Sequence, residues 1–406
     1  MVVKDANKAD GNIQEKDVRG LKYFDQLAPL LERLHDVGCQ RDGAGNRSLH
    51  FDHYCMLILL FFFNPVVKSL RGLQQASELK NVQKKLGCPR TSLGSLSESV
   101  TVFDPERLKE IILELGEQLQ PLGRDPRLKD IRNLTLVDST VLAILPHLTE
   151  ASLKPTNNDG TVKWRLHTHF EVEHFVPRHI DVTPDGGGDC DERAVLQRTV
   201  ESDRLYVMDR GYAKFALFNH IVAAGSSYVC RNRDNSVYEV LEERPLSAAA
   251  RAERVRSDQI IALGAADSVT TKPDHKVRLL TIEAKPHRKT ANAPAPNCNG
   301  AIRIVTNLLD VPAEIVALLY HYRWLIEIFF RFFKQILGCR HLLSGSRNGI
   351  EIQAYCAIIA CMLISLWTGR KPTLRTHEMI CWYFLGIADL DELLAHLEKL
   401  KKHDTQ

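Results

Sequence analysis

The segment YHYRWLIEIFFRFFKQI, residues 320–336, constrains this chain most. At about 100° per residue, Tyr320, Arg323, Glu327 and Lys334 fall within an arc of roughly 60°, with Arg331 and Trp324 at its edge. Leu325, Ile326, Phe329, Phe330, Phe332 and Phe333 cover the remaining faces. A helix this apolar must be packed around most of its circumference, so its polar groups are confined to one narrow stripe roughly 20 Å long. A solvated face is the commoner meaning of a single charge on such a helix. Here the stripe is walled by aromatics, and a guanidinium and an ammonium flank a lone carboxylate. That order suits a polyanion held beside a metal ligand.

The 406 residues, 44% hydrophobic and 25% charged, leave room for two or three domains with a proper core. A formal net charge of +3 excludes a protein that coats DNA by bulk electrostatics, so nucleic-acid contacts must come from local basic clusters. The ten cysteines form no C-x-x-C pair and show no zinc-ligand spacing. Cys55, Cys356 and Cys361 lie in apolar runs, which predicts reduced, buried thiols in a cytosol. The polar N-terminus does not read as a secretory signal. The apolar runs 54–64 and 355–367 fall short of the roughly 20 residues needed to span a bilayer. They are expected to be core helices of a cytoplasmic protein with no membrane contact.

Residues 1–125 read as all-helical. Helices are predicted over 22–38, stopped by Gly38; over 46–63, stopped at Asn64-Pro65; and over 69–87, ended by Gly87 with Pro89 beyond. A short helix fits 91–99, and Asp104-Pro105 opens another as cap and first residue. From about 130 the pattern changes. Strands fit 133–140, 162–175, 177–185, 204–211 and 227–232, with helices at 191–200 and 213–225, giving a mixed α/β sheet with covering helices. Residues 233–300 read as an insertion, with a strand near 276–284 and a basic, Pro/Asn-rich loop. A strand resumes at 301, the long helix spans 312–337 and stops at Gly338, and 350–403 is helical. The expected domains are 1–125, 126–345 and 346–406.

Two further carboxylates end strands. Asp138 closes NLTLVD, and Asp209 closes RLYVMD immediately before Arg210-Gly211 and a helix. Sites in α/β sheets gather beyond strand carboxyl ends, although one such Asp is more often a turn or cap residue. Asp181, Asp185, Asp189 and Asp191 lie in a Gly-rich stretch that reads as a solvated loop or a helix N-terminus. His167 and His169 share a strand face, but a zinc site needs a third ligand that nothing nominates. Asp138, Asp209 and Glu327 would offer two Mg²⁺ ions, or Mn²⁺ in their place, an all-oxygen ligand set, with Asp138 bridging. Arg323 and Lys334 would hold phosphate oxygens beside them.

With these residues in view, the chain resembles the insertion-sequence-4 family of DDE transposases. Tyr320, Arg323, Glu327 and Lys334 match the family pattern Y-(2)-R-(3)-E-(6)-K without a spacing error. VDST places the first family aspartate on Asp138; DRGYAKF places the second on Asp209, with Tyr212 and Phe215 as accompanying aromatics. Thr306-Asn307-Leu308 and the N-terminal SLRGLQQASE, SLGSLSES and FDP segments look like the family too. The resemblance runs from about residue 20 to 370. It implies a ribonuclease-H-like catalytic core interrupted by a β-rich insertion, an all-α N-terminal domain that binds DNA ends, and a helical C-terminal part. It also implies Mg²⁺-dependent nicking and strand transfer at terminal inverted repeats, a target DNA, a homodimer on paired ends, and a bacterial, nucleoid-associated location. Relatives that form hairpins stack a flipped base on an inserted Trp; here Tyr238 is the only Phe, Trp or Tyr in 233–300, and its simpler role is a strand residue.

DNA-facing candidates outside the carboxylates are Arg210 and Tyr212, and Lys84, Lys85 and Arg90 around the Gly87 turn. Segment 69–100 is compatible with a helix-turn-helix reader. Arg251, Arg254 and Arg256, then Lys285, Arg288 and Lys289, and finally Arg340 and Arg347 form further basic groups, each more often a solvated face. Two other readings stay open: a DNA-binding protein of this fold that lost catalysis, and a metal-dependent nuclease without strand transfer.

Overall fold

The computed structural model describes residues 27–37, 41–43, 45–119, 125–144, 162–264, 272–283, 300–337 and 342–404. Gly38, Lys285, Arg288, Lys289, Gly338 and Arg340 lie outside these residues. The described residues group into two compact units, one within 1–122, 143–162 and 331–406, the other within 123–142 and 163–330.

The first unit is helical. It begins with α1 (Ala28–Glu32), α2 (Leu34–Val37), α3 (Phe51–Phe63), α4 (Leu70–Ser77), α5 (Lys80–Leu86), α6 (Leu93–Val102) and α7 (Glu106–Gln118). Helix α3 is apolar on almost every side and stops where Asn64 turns extended before Pro65, the conformation a residue before proline prefers. The single helix expected over 69–87 is broken. Leu79 is extended, and the buried Ser77 hydroxyl accepts the Thr91 N–H at 3.1 Å, which fixes the corner between α4 and α6. Helix α5 ends at Gly87, whose φ of 67° is a left-handed conformation that a side chain would strain.

The second unit is built on a sheet: β1 (Leu134–Ile144), β2 (Val162–Glu171), β3 (Val176–Pro184), α8 (Glu192–Thr199), β4 (Leu205–Met208), α9 (Phe215–Ala223), β5 (Ser227–Arg231), β6 (Tyr238–Glu243), α10 (Ala248–Ala252), β7 (Val255–Leu263), β8 (Val277–Glu283), β9 (Ala301–Thr306) and α11 (Ala313–Tyr322). The nine strands form one mixed sheet in the order β3-β2-β1-β4-β5-β9-β8-β7-β6. Strands β1, β4 and β5 run parallel, whereas β2–β3, β5–β9 and β9 through β6 pair antiparallel. All four β4 residues are buried, the signature of a parallel strand covered on both faces. Helix α9 supplies one cover: Leu217, Phe218 and Ile221 join the core with Tyr206 and Met208, and Phe218 stacks on Tyr228 at 4.3 Å. The strands of 233–300 continue this same sheet. Tyr238 starts β6 and packs against that core, with the Arg303 guanidinium 5.7 Å over its ring.

The helix expected over 312–337 is present as two segments that meet at Arg323, whose backbone keeps right-handed helical angles. Helix α11 ends at Tyr322 and α12 (Trp324–Leu337) begins after Arg323. The Arg323 N–H reaches the Tyr320 carbonyl at 3.1 Å, a bond three residues back, and this tightened turn marks the joint. Then come α13 (Arg347–Thr368), α14 (Leu374–Phe384) and α15 (Leu390–Asp404). Helix α13, at 22 residues, is long and apolar enough to span a bilayer by length and composition, more than the short run 355–367 suggested. Every residue from Gly349 to Ser365 is buried, packed with α3, α6 and α7. Cys55, Cys356 and Cys361 are buried free thiols, as expected. His377 of α14 donates from Nε2 to the Phe62 carbonyl at 2.9 Å, satisfying an orphan acceptor at the end of α3.

Candidate active site

Two adjacent parallel strands carry the aspartates. Val137 of β1 pairs with Met208 of β4, so Asp138 and Asp209 are the next residues on neighbouring strands. Such strands lie about 4.8 Å apart. Asp209 leaves the sheet as the cap of a single 3₁₀ turn, its Oδ1 accepting the Gly211 N–H at 2.5 Å. Asp138 accepts the Ser139 N–H at 2.8 Å.

The joint between α11 and α12 brings the third acid. Arg323 lies 2.5 Å from Glu327, one turn further on, and 3.8 Å from Asp138. Its guanidinium also sits 5.8 Å over the Tyr320 ring. Burial pushes the Asp138 carboxyl up to about 7; the Ser139 N–H and Arg323 oppose the rise, and the nearby charges of Asp209 and Glu327 add to it. Asp138, Asp209, Glu327 and Arg323 therefore form one cluster. An all-oxygen set of crowded carboxylates fits hard divalent cations such as Mg²⁺ or Mn²⁺, because a cation compensates the buried charge of Asp138 and offsets the repulsion from Asp209 and Glu327. Aromatic packing fixes α12 at this position, with Phe329 5.0 Å from Phe170 of β2. Lys334 lies two turns beyond Glu327 on the same side of α12, about 10 Å further along its axis, and is half-buried.

Two neighbours of this cluster, Glu192 and Arg165, were not apparent in the sequence. Glu192, the first residue of α8, accepts from the Ser139 hydroxyl at 2.8 Å and from Arg165 of β2 at 3.0 Å. Arg165 also bonds Asp185 at 2.8 Å, and burial opposes the carboxylate partners that together raise its pKa. A Cβ on Gly211 would stand 2.7 Å from Glu192 Oε1 and 2.9 Å from Asp209 Oδ1, so any side chain here would push the two carboxylates aside. Ser139 was legible only as a letter of VDST. Glu192 and Arg165 have no periodicity to betray them, because each reaches the site across the fold.

Tyr212, expected to face DNA, is instead 1% exposed within the core. Burial raises its hydroxyl pKa well above normal, and the charges of Asp138, Glu192 and Asp209 add to the rise. The phenol thus lies near the carboxylates, away from the surface. Arg210 is exposed and pairs with Asp234 at 3.3 Å. In the helical unit, Lys84, Lys85 and Arg90 are exposed around the α5–α6 turn, with Arg90 bonded to Glu78 at 3.0 Å. His167 and His169 each bond a threonine hydroxyl, from Thr183 and Thr199 respectively. Burial holds their pKa values down to about 4 and about 3, as neutral structural imidazoles. Asp191 caps α8 and is held down to about 2, chiefly by Arg193, which bears out the helix N-terminus reading of that loop.

Comparison with known proteins agrees with this chemistry. Residues 130–363 match the family described as Transposase DDE domain. The chain is 27% identical over 315 residues to the probable transposase for insertion sequence element IS5377 of Geobacillus stearothermophilus, covering 75% of this chain and 76% of that protein. It is also 27% identical over 267 residues to a Sinorhizobium fredii (strain NBRC 101917 / NGR234) protein, y4zB, which bears a transposase name, covering 64% and 68%. The piggyBac transposase synaptic complex with hairpin DNA aligns over 95% of this chain and 80% of that one, at a TM-score of 0.40 and 11% identity. The chain belongs to the transposase DDE-domain family and is a DDE-type transposase of the insertion-sequence-4 kind.

Proposed function

We propose that this transposase cuts and rejoins DNA at the terminal inverted repeats of an insertion sequence, moving the segment by cut and paste. The observation that carries this reading is the convergence of Asp138, Asp209 and Glu327 around Arg323. The strand order β3-β2-β1-β4-β5, with an antiparallel hairpin beside three parallel strands, supports a ribonuclease-H-like core. Asp138, Asp209 and Glu327 would together hold a pair of divalent ions. Such ions supply an activated attacking oxygen and neutralise the leaving oxygen of a phosphodiester. The chain's own groups do the rest. Arg323, held by Tyr320 on one side and two carboxylates on the other, turns its guanidinium to the scissile phosphate. Lys334 holds a neighbouring phosphate further along the strand. Lys84, Lys85 and Arg90 track the backbone of the end DNA, which positions the cut without reading sequence. Two copies acting on paired ends in a bacterial cytoplasm complete the reading.

The test uses purified full-length chain, Mg²⁺ or Mn²⁺, and DNA carrying the element's own ends. Cleavage at the ends with joining to target DNA supports the proposal. Binding without cleavage, or cutting of branched DNA without joining, overturns it in favour of a DNA-binding protein or a nuclease. Asp138→Ala, Asp209→Ala and Glu327→Ala should each abolish nicking while leaving end binding largely intact; full nicking by any one removes that residue from the ligand set.

A further inference from the structure

The helical unit carries a second cluster of side chains able to ligate a metal, in addition to the carboxylates of the sheet unit. His35 lies in α2, His50 immediately precedes α3, and Asp52 and His53 stand in the first turn of α3. His35 Nδ1 is 2.9 Å from Asp52 Oδ2, and His53 Nε2 is 3.7 Å from that same oxygen. One ligand atom from each of His35, Asp52 and His53 lies within 4.8 Å of the other two. Two ligands on a tetrahedral ion at about 2.0 Å stand about 3.3 Å apart. Small side-chain rotations would therefore close the three onto one ion. The side chains are 38%, 14% and 18% exposed in the same order, so the cluster is sheltered yet reachable from solvent.

Other observations point to a cation. Asp52 Oδ1, the second oxygen of the central carboxylate, is buried with no hydrogen-bond partner among the described residues, a state that folded proteins rarely leave uncompensated. His50 Nδ1 donates to the His35 carbonyl at 2.9 Å, and its ring stacks on His35 at 3.7 Å, so a neighbour braces the His35 ring. Imidazoles mixed with a carboxylate suit zinc-class ions; Mg²⁺ prefers oxygen alone.

We propose that His35, Asp52 and His53 bind one zinc-class divalent ion that clasps α2 to the start of α3. The site is separate in chemistry and in metal from the all-oxygen cluster of Asp138, Asp209 and Glu327. The experiment strips the full-length chain with a chelator, then titrates Zn²⁺ alone by calorimetry and Co²⁺ by visible absorption, without DNA. One equivalent should bind, and Zn²⁺ should raise the unfolding temperature in a chelator-reversible way. Asp52→Asn and His35→Gln should lose that binding and that shift, and His50→Ala should weaken binding by about 10–100-fold. Asp138→Ala should bind Zn²⁺ as the parent does. The proposal is overturned if the parent binds no stoichiometric Zn²⁺, or if both ligand variants, shown folded by circular dichroism, bind it unchanged. Loss only in Asp138→Ala would also overturn it, by assigning the ion to the carboxylate cluster. Should His53→Ala fail to fold, the half-exposed His35 and the conservative Asp52→Asn still decide the matter.

Discussion

Asp138 sets how the active site responds to pH. Its carboxyl is raised to about 7, mainly by burial. Between the ordinary carboxylate value and about 7, the folded chain holds a proton that the unfolded chain has released, so stability falls as pH rises through that window and levels off above it. On the proposed ligand set, a divalent ion would displace the same proton. Apparent Mg²⁺ or Mn²⁺ affinity should therefore rise about tenfold per pH unit below the Asp138 pKa and become flat above it. Calorimetry in buffers of different ionisation enthalpy would detect the released proton; a pH-independent affinity would remove Asp138 from the ligands. Asp138→Asn should abolish both the pH slope and the activity.

Among the elements, the segment that feeds the active-site helix is anchored by a buried ion pair. Arg278 of β8 bonds Asp258 of β7 at 2.8 and 2.7 Å and donates to the Leu308 carbonyl at 3.0 Å, just before α11. Both side chains are almost fully buried, at 2% and 5% exposure. Arg278→Met leaves a buried carboxylate without its partner and should cost about 3–5 kcal/mol, whereas the double variant with Asp258→Leu should recover much of that loss. Urea unfolding of the single and double variants measures both. Such a pair is invisible to sequence pattern, because Asp258 and Arg278 look like ordinary strand polar residues until the register places them together. By contrast, the strand carrying Asp138, the strand ending at Asp209 and the stripe on 320–334 were legible, since period and strand length mark them locally. The tightened turn at Arg323 was not legible, because no Gly or Pro announces it and the backbone there keeps helical angles. Tyr212 misled for a related reason: its place in a motif identifies the motif, while burial depends on which strands surround it.

At the scale of the molecule, a net charge of +3 leaves DNA affinity to local patches. If Lys84 and Lys85 touch phosphates, Lys84→Ala with Lys85→Ala should reduce the slope of log affinity against log salt by about 0.9 for each phosphate no longer neutralised. An unchanged slope in electrophoretic binding assays across salt concentrations would remove them from the interface. The sheet carries a separate consequence. Strand β9 is bonded to β5 on one side and β8 on the other. Trimming 233–300 to a short linker would thus strip one flank of β9 and expose a row of unpaired amides and carbonyls along a largely apolar strand. A minimal version of this enzyme made in that way should clump with copies of itself, even with every acid intact.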